Sequence, residues 1–174
     1  MSQLVYLSLG SNLGDREKNL RAAIAGLKIA GRVVAVSSFY ETEPVEFTDQ
    51  PWFVNCAVGL GTDRSPVELM AGALAIEREM GRERVQKKGP RVIDIDILLC
   101  GDTVIHSREL TVPHPTMHRR RFVLEPLAEI AGQARHPVLN KTIGELLGEL
   151  PAGPVVRRVA PQPMNKAARP PAND

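Results

Sequence analysis

Two stretches with helical periodicity lie among four strand-like runs, and the order of these six pieces limits the fold more than any other feature of the chain. The first run, QLVYLSL, stops at GSNLGD, where Gly10 and Gly14 permit a turn and Asn12 or Asp15 can cap a helix. Leu20, Ile24 and Leu27 then recur at near-3.6 spacing, which predicts a helix from Arg16 to about Ile29. RVVAVSSFYETEP reads as a strand closed by Pro44, and a polar loop through Gln50 and Pro51 leads into a further strand, WFVNCAVGL. Ser65, Pro66 and Glu68 form a capping-box signature, and Val67, Leu69, Met70, Leu74 and Ile76 carry a second helix to about Met80. VIDIDILLC completes the set.

The order β-α-β-β-α-β is the split βαβ arrangement, so the expected fold is α+β: a ferredoxin-like core with an antiparallel sheet and both helices on one face. Additional helices are expected after Pro115 and near Leu124 to Ala131. A chain of 174 residues suits one domain, assigned here to residues 1–150. Residues 151–174 hold six of the 14 prolines and no aromatic residue, and read as a disordered basic tail. Cys56 and Cys100 sit apart in apolar runs, which excludes a CxxC metal pair and a disulfide framework. No apolar stretch approaches the roughly 18 residues of a membrane span, and Met1 leads directly into a strand. The expectation is a cytoplasmic monomer with neither membrane nor nucleic-acid partners.

A net charge of +2 hides an uneven distribution. Residues 82–91 sum to +4, residues 108–121 to +3 and residues 151–174 to +3, which leaves −8 on the rest. Two internal basic segments thus flank an acidic body, as an anionic ligand would require, although a solvated charged loop has the same composition.

Asp94 and Asp96 alternate with Ile93, Ile95 and Ile97, so a strand here turns both carboxylates to one face with Cα atoms about 6.6 Å apart. Paired carboxylates at that spacing can converge on two cations, and oxygen-only ligands favour Mg²⁺ completed by substrate phosphates. Two solvent-exposed acids on a strand would show the same pattern. The preceding loop carries Arg82, Arg84, Lys87, Lys88 and Arg91, and guanidinium forks bind phosphate oxygens bidentately. Metal-holding carboxylates beside such a loop are the parts phosphoryl transfer needs. There is no GxxxxGK[ST], which excludes a P-loop. Thr111, His114 and Arg120 could extend the anion site.

Five of the seven aromatic residues, Phe39, Tyr40, Phe47, Trp52 and Phe53, fall within residues 39–53. On one strand Phe53 and Asn55 share a face, pairing a stacking surface with an amide that donates and accepts, which suits a nucleobase-like heterocycle. Aromatic residues buried in a sheet core would account for them equally.

GSNLGD, SSFYETEPV, QPWFVN, GPRVIDIDIL and LTVPHPTMHRRRFVLEPLAEIA resemble, in order and spacing, the 6-hydroxymethyl-7,8-dihydropterin pyrophosphokinase family over roughly residues 3–147. The resemblance implies a ferredoxin-like fold and transfer of diphosphate from ATP to the pterin's hydroxymethyl oxygen, with release of AMP and use of two Mg²⁺ ions. It further implies that Asp94 and Asp96 bind both ions, with the hydroxyl activated either by Asp96 as base or by the metal. Arg82 and Arg91 would steady charge at the β-phosphorus. Glu77, Arg84, Arg91, Ile97, Thr111, His114 and Arg120 would contact ATP. Thr42, Pro44, Val45, Phe53, Asn55 and Phe122 would form the pterin pocket, with Phe53 and Phe122 stacking on opposite ring faces. Two positions depart from the family pattern: Lys88 stands where well-known members carry Trp, and Glu109 where some carry Arg.

Two other classes compete: another Mg²⁺-dependent transferase on the same fold, and an RNA-binding ferredoxin-like module. The second requires aromatic residues in the RNP1 pattern, which the chain lacks.

Overall fold

The computed structural model describes residues 2–45, 48–81 and 90–160. Strand β1 (Gln3–Ser11) runs into helix α1 (Arg16–Leu27), whose first turn is capped by Asp15 accepting the Lys18 N–H at 3.1 Å. Asn12, the other candidate cap, is engaged elsewhere. The helix stops short of Ile29 because the N–H groups of Lys28, Ile29 and Ala30 bond three residues back and tighten the final turn.

The run expected as one strand over residues 32–44 is two, β2 (Arg32–Val36) and β3 (Tyr40–Thr42). Ser37 causes the break. Its hydroxyl accepts the Ala57 N–H at 2.8 Å while its own N–H donates to the Ala57 carbonyl at 2.9 Å, so a side chain replaces a ladder carbonyl. The register then slips by one residue, from Val36 opposite Val58 to Tyr40 opposite Asn55.

Strand β4 (Phe53–Thr62), helix α2 (Pro66–Glu79) with its capping box formed, and strand β5 (Asp94–Cys100) follow. The sheet order is β5-β1-β4-β3 with β2 also on β4, and every pairing is antiparallel, as the element order predicts. Val5, Leu7 and Leu9 of β1 and Val54, Cys56 and Val58 of β4 meet Leu20, Ala23 and Leu27 of α1 and Leu69 and Ala73 of α2 in a first core. Gly26 lets the two helices approach, since a Cβ there would lie 3.2 Å from Ile76 Cγ1. Val67, counted in the helical pattern, faces solvent.

Beyond β5 come the short pair β6 (Ile105–His106) and β7 (Thr111–Val112), a 3₁₀ turn (Met117–Arg119), and helices α3 (Arg121–Ala131) and α4 (Ile143–Gly148). Leu124, Leu127, Ile143 and Leu146 cover the opposite sheet face in a second core. A bulge where β5 passes Tyr6 and Leu7 turns both Leu98 and Leu99 into that core. Helix α4 has a cap signal of its own, Thr142 accepting the Glu145 N–H at 3.1 Å.

The expectation of a disordered segment from residue 151 fails for Val156–Arg158, which form strand β8 antiparallel to β3. The run VVRRVA contains no proline, and the open edge of β3 supplies the partners an isolated strand lacks. The rest of that prediction, residues 161–174, lies outside the described residues. No described helix is long and apolar enough to cross a membrane.

Candidate active site

Strand pairing sets one row of residues across the sheet: Asp94 of β5 opposite Gly10 of β1, Gly10 opposite Asn55 of β4, and Asn55 opposite Tyr40 of β3. Neighbouring strands lie about 4.8 Å apart, so the Asp94 and Asn55 backbones are separated by about 10 Å with only a glycine between them. That glycine is required, because a Cβ at Gly10 would overlap Asn55 Oδ1 and touch Phe53 Cδ1 at 3.6 Å. Asp96 lies in the next row, opposite Ser8. Ile93, Ile95 and Ile97 are buried in the first core, which turns Asp94 and Asp96 to the α3 face as the alternation predicts.

Arg91 donates to Asp94 Oδ2 at 2.7 Å. Asp96 is pushed up to about 7, first by burial and then by the Asp94 carboxylate beside it, against the opposing pull of Arg120. Further positive charge beside such a carboxyl would favour its ionised form. Among the described residues no cluster of three metal-binding side chains forms, so the protein offers two hard oxygen ligands and leaves the other positions to water or substrate. That donor set fits Mg²⁺, which characteristically takes one or two carboxylates plus phosphates.

The other predicted ATP contacts divide. Buried Glu77 accepts the Ile95 N–H at 2.8 Å, so it braces the strand between the two aspartates. The Ile97 side chain is buried in the first core, so a contact from this residue to nucleotide would come from its backbone. Thr111 opens the segment that places His114, whose N–H bonds the Leu98 carbonyl at 3.0 Å. His114 Nδ1 accepts the Thr116 N–H at 3.2 Å, which leaves the proton on Nε2. Burial and then Arg120 push this imidazole down to about 4, so it is a neutral donor at physiological pH. Arg120 lies over the Phe122 ring at 5.5 Å, linking the anion side to the ring side. Arg82, Arg84, Lys87, Lys88 and Phe47 fall outside the described residues.

On the ring side, Asn55 Nδ2 donates to Thr42 Oγ1 at 2.6 Å, both side chains being buried. That bond orients the amide. Pro44 is buried, Val45 and Phe53 are half-buried, and half-buried Phe122 starts α3 over the same sheet face.

Asn12, read from sequence only as a possible helix cap, joins three loops. Its Nδ2 donates to Gln50 Oε1 and the Pro51 carbonyl, each at 2.9 Å, and its Oδ1 accepts the Arg91 N–H at 2.7 Å. Its own N–H donates to the Arg91 carbonyl at 3.0 Å. Nothing local in GSNLGD reveals this, because all four partners lie at least 38 residues away.

Paired carboxylates beside guanidinium groups on a ferredoxin-like sheet fit the phosphoryl-transfer class of enzymes. The chain matches the family described as 7,8-dihydro-6-hydroxymethylpterin-pyrophosphokinase (HPPK) over residues 6–132, and it belongs to that family. It is 49% identical over 135 residues to the 2-amino-4-hydroxy-6-hydroxymethyldihydropteridine pyrophosphokinase of Bacillus subtilis, covering 76% of this chain and 81% of that one. It is 42% identical over 153 residues to the folic acid synthesis protein fol1 of Schizosaccharomyces pombe; this covers 87% of the chain but only 21% of that longer protein. Among solved structures, the wild-type HPPK-DHPS of Plasmodium falciparum superposes with a TM-score of 0.69 at 18% identity, over 86% of this chain and 43% of that one, and shares the fold.

Proposed function

We propose that this chain transfers the terminal diphosphate of ATP to the hydroxymethyl oxygen of 6-hydroxymethyl-7,8-dihydropterin, giving AMP and the pterin diphosphate, and that Asp94 and Asp96 do so with two Mg²⁺ ions. As a member of the HPPK family, the protein is a pyrophosphokinase of folate biosynthesis. The observation that supports the residue assignment is the row Asp94–Gly10–Asn55, which puts the aspartates of β5 and the Asn55 amide on one sheet face with one strand between them.

Magnesium bound at the aspartates would supply positive charge to the phosphates and make the attacking hydroxyl more acidic. The protein's own groups do the rest. Asn55, oriented by Thr42, reads the ring edge, while Phe53 and Phe122 supply stacking surfaces and Pro44 and Val45 complete the wall. His114 offers a neutral Nε2–H to a phosphate oxygen, and Thr111 and Arg120 extend that anion site. Arg91, held by Asp94 and Asn12, would steady the charge that builds on the β-phosphorus together with Arg82, and Arg84 would contact ATP. The hydroxymethyl oxygen bonds to the β-phosphorus, the bond from that phosphorus to the α–β bridging oxygen breaks, and AMP departs with the electron pair. The hydroxyl proton goes to Asp96 or to water.

Incubation with ATP, Mg²⁺ and 6-hydroxymethyl-7,8-dihydropterin, followed by product identification, tests the reading. AMP and a diphosphorylated pterin in equal amounts are expected. ADP or free pyrophosphate as the main product would overturn it.

A further inference from the structure

We propose that strand β8 is a positioning element of the pterin pocket, with Arg157 and Arg158 as positioning residues that hold β3 from opposite sides. The inference rests on the assignment of Thr42 and Asn55 to the pterin.

Strand β3 is three residues long. A strand so short has few ladder bonds of its own to hold it. Strand β8 lies along its open edge, and the pairing extends past both ends: Val159 N–H donates to the Phe39 carbonyl at 2.8 Å and Glu43 N–H to the Val155 carbonyl at 2.9 Å. The Val155 N–H in turn donates to Glu43 Oε1 at 3.1 Å.

Successive strand residues face opposite sides of a sheet, so Arg157 and Arg158 reach different layers. Arg157 pairs with Glu41 at 2.9 Å and lies 5.3 Å from the centre of the Trp52 ring. Glu41 is also 3.5 Å from Arg16, at the start of α1, and another Arg16 nitrogen donates to the Trp52 carbonyl at 2.9 Å. A closed ring of contacts therefore joins β8, β3, α1 and the residue before Phe53. On the other side Arg158 pairs with Glu129 of α3 and lies 5.9 Å from the Tyr40 ring, and Glu129 also accepts the Ser38 N–H.

The two guanidinium side chains are 64% and 56% exposed, so either ion pair alone contributes little. Their effect comes from bracing one short strand through both layers. Thr42 ends that strand opposite Phe53, and its hydroxyl fixes the direction of the Asn55 amide. If β3 frays, Asn55 loses its orienting acceptor, whereas the aspartates lie on β5, three strands over from β3, where Arg91 still donates to Asp94.

The test uses the full chain carrying Arg157→Ala and Arg158→Ala together. The expected result is a pterin KM raised roughly threefold to tenfold, with the ATP KM and the kcat at saturating pterin within about twofold of the parent. Arg157→Ala alone should shift the emission of Trp52, the one tryptophan in the sequence, and Arg157→Lys should recover most of the pterin KM by keeping a charge on Glu41. A pterin KM that is unchanged, or that rises in step with the ATP KM, overturns the proposal. Asn55→Ala separates the two levels: if that variant binds pterin normally the pocket assignment fails, and if it weakens pterin while the double variant does not, only the role of β8 fails.

Discussion

At the scale of single residues, the site holds two groups displaced in opposite directions. Asp96 is raised to about 7, so its neutral form belongs to the fold; stability from it is full below the ordinary carboxylate range and is lost as pH rises towards 7. His114 is lowered to about 4, again favouring the neutral form, but for an imidazole that stability is full above about 6.5 and is lost as pH falls towards 4. Between about pH 4 and 6.5 the two slopes oppose each other, each worth about 1.4 kcal/mol per pH unit. Metal-free protein should therefore show a nearly flat contribution from this pair in thermal melts. Asp96→Asn should expose a Tm that rises with pH across that window, and His114→Gln one that falls. Added Mg²⁺ should raise the Tm of the parent near pH 7.5 and leave that of Asp96→Asn nearly unmoved. Asp96→Ala should also abolish turnover while pterin still binds, as fluorescence titration with the pterin can check. The aspartate pair was legible in the sequence because strand alternation is local. The state of Asp96 was not, since it depends on burial and on Arg120 from another segment.

Among the elements, β1 and its outgoing turn carry more of the site than their sequence reveals. Gly10 lies between Asp94 and Asn55, and an added methyl there would push the Asn55 amide off Thr42. Gly10→Ala should weaken pterin binding at least as much as Asn55→Ala, by about 1–3 kcal/mol, without changing the Mg²⁺ requirement. Calorimetric titration with the pterin would measure it. Asn12 ties the loop before β4 to Arg91 before β5, so Asn12→Ala removes hydrogen bonds from part-buried partners on both sides, at about 0.5–1.5 kcal/mol for each bond. It should lower the denaturant midpoint and raise the KM for both substrates, which distinguishes it from the pterin-selective effect of β8. Element order, both long helices and the capping box of α2 could be read from periodicity. The split of β2 from β3 could not, because it depends on a hydrogen bond between Ser37 and Ala57. Nor could β8, which needs an edge to pair with.

For the whole molecule, the proposed function implies that the uneven charge distribution would sort the substrates. By the proposed assignment two basic segments of the sequence would meet the nucleotide, while the pterin would meet a buried amide, a hydroxyl and rings. Raising NaCl from 0.05 to 0.5 M shortens the screening length to roughly 4 Å, so the ATP Kd should rise severalfold while the pterin Kd changes little. Equal sensitivity of both constants would contradict this division. The sequence by itself determined the βαββαβ order of the core, and it determined that Asp94 and Asp96 share a face, because both follow from periodicities of two and 3.6 residues. Only the tertiary structure decided that Gly10 lies between Asp94 and Asn55, that Glu77 braces the aspartate strand, that Asn12 ties three loops, and that a segment past residue 155 closes the edge beside the pocket. Each of these is a contact between segments distant in the chain, and such contacts exist only once the two cores have packed the sheet between its helices.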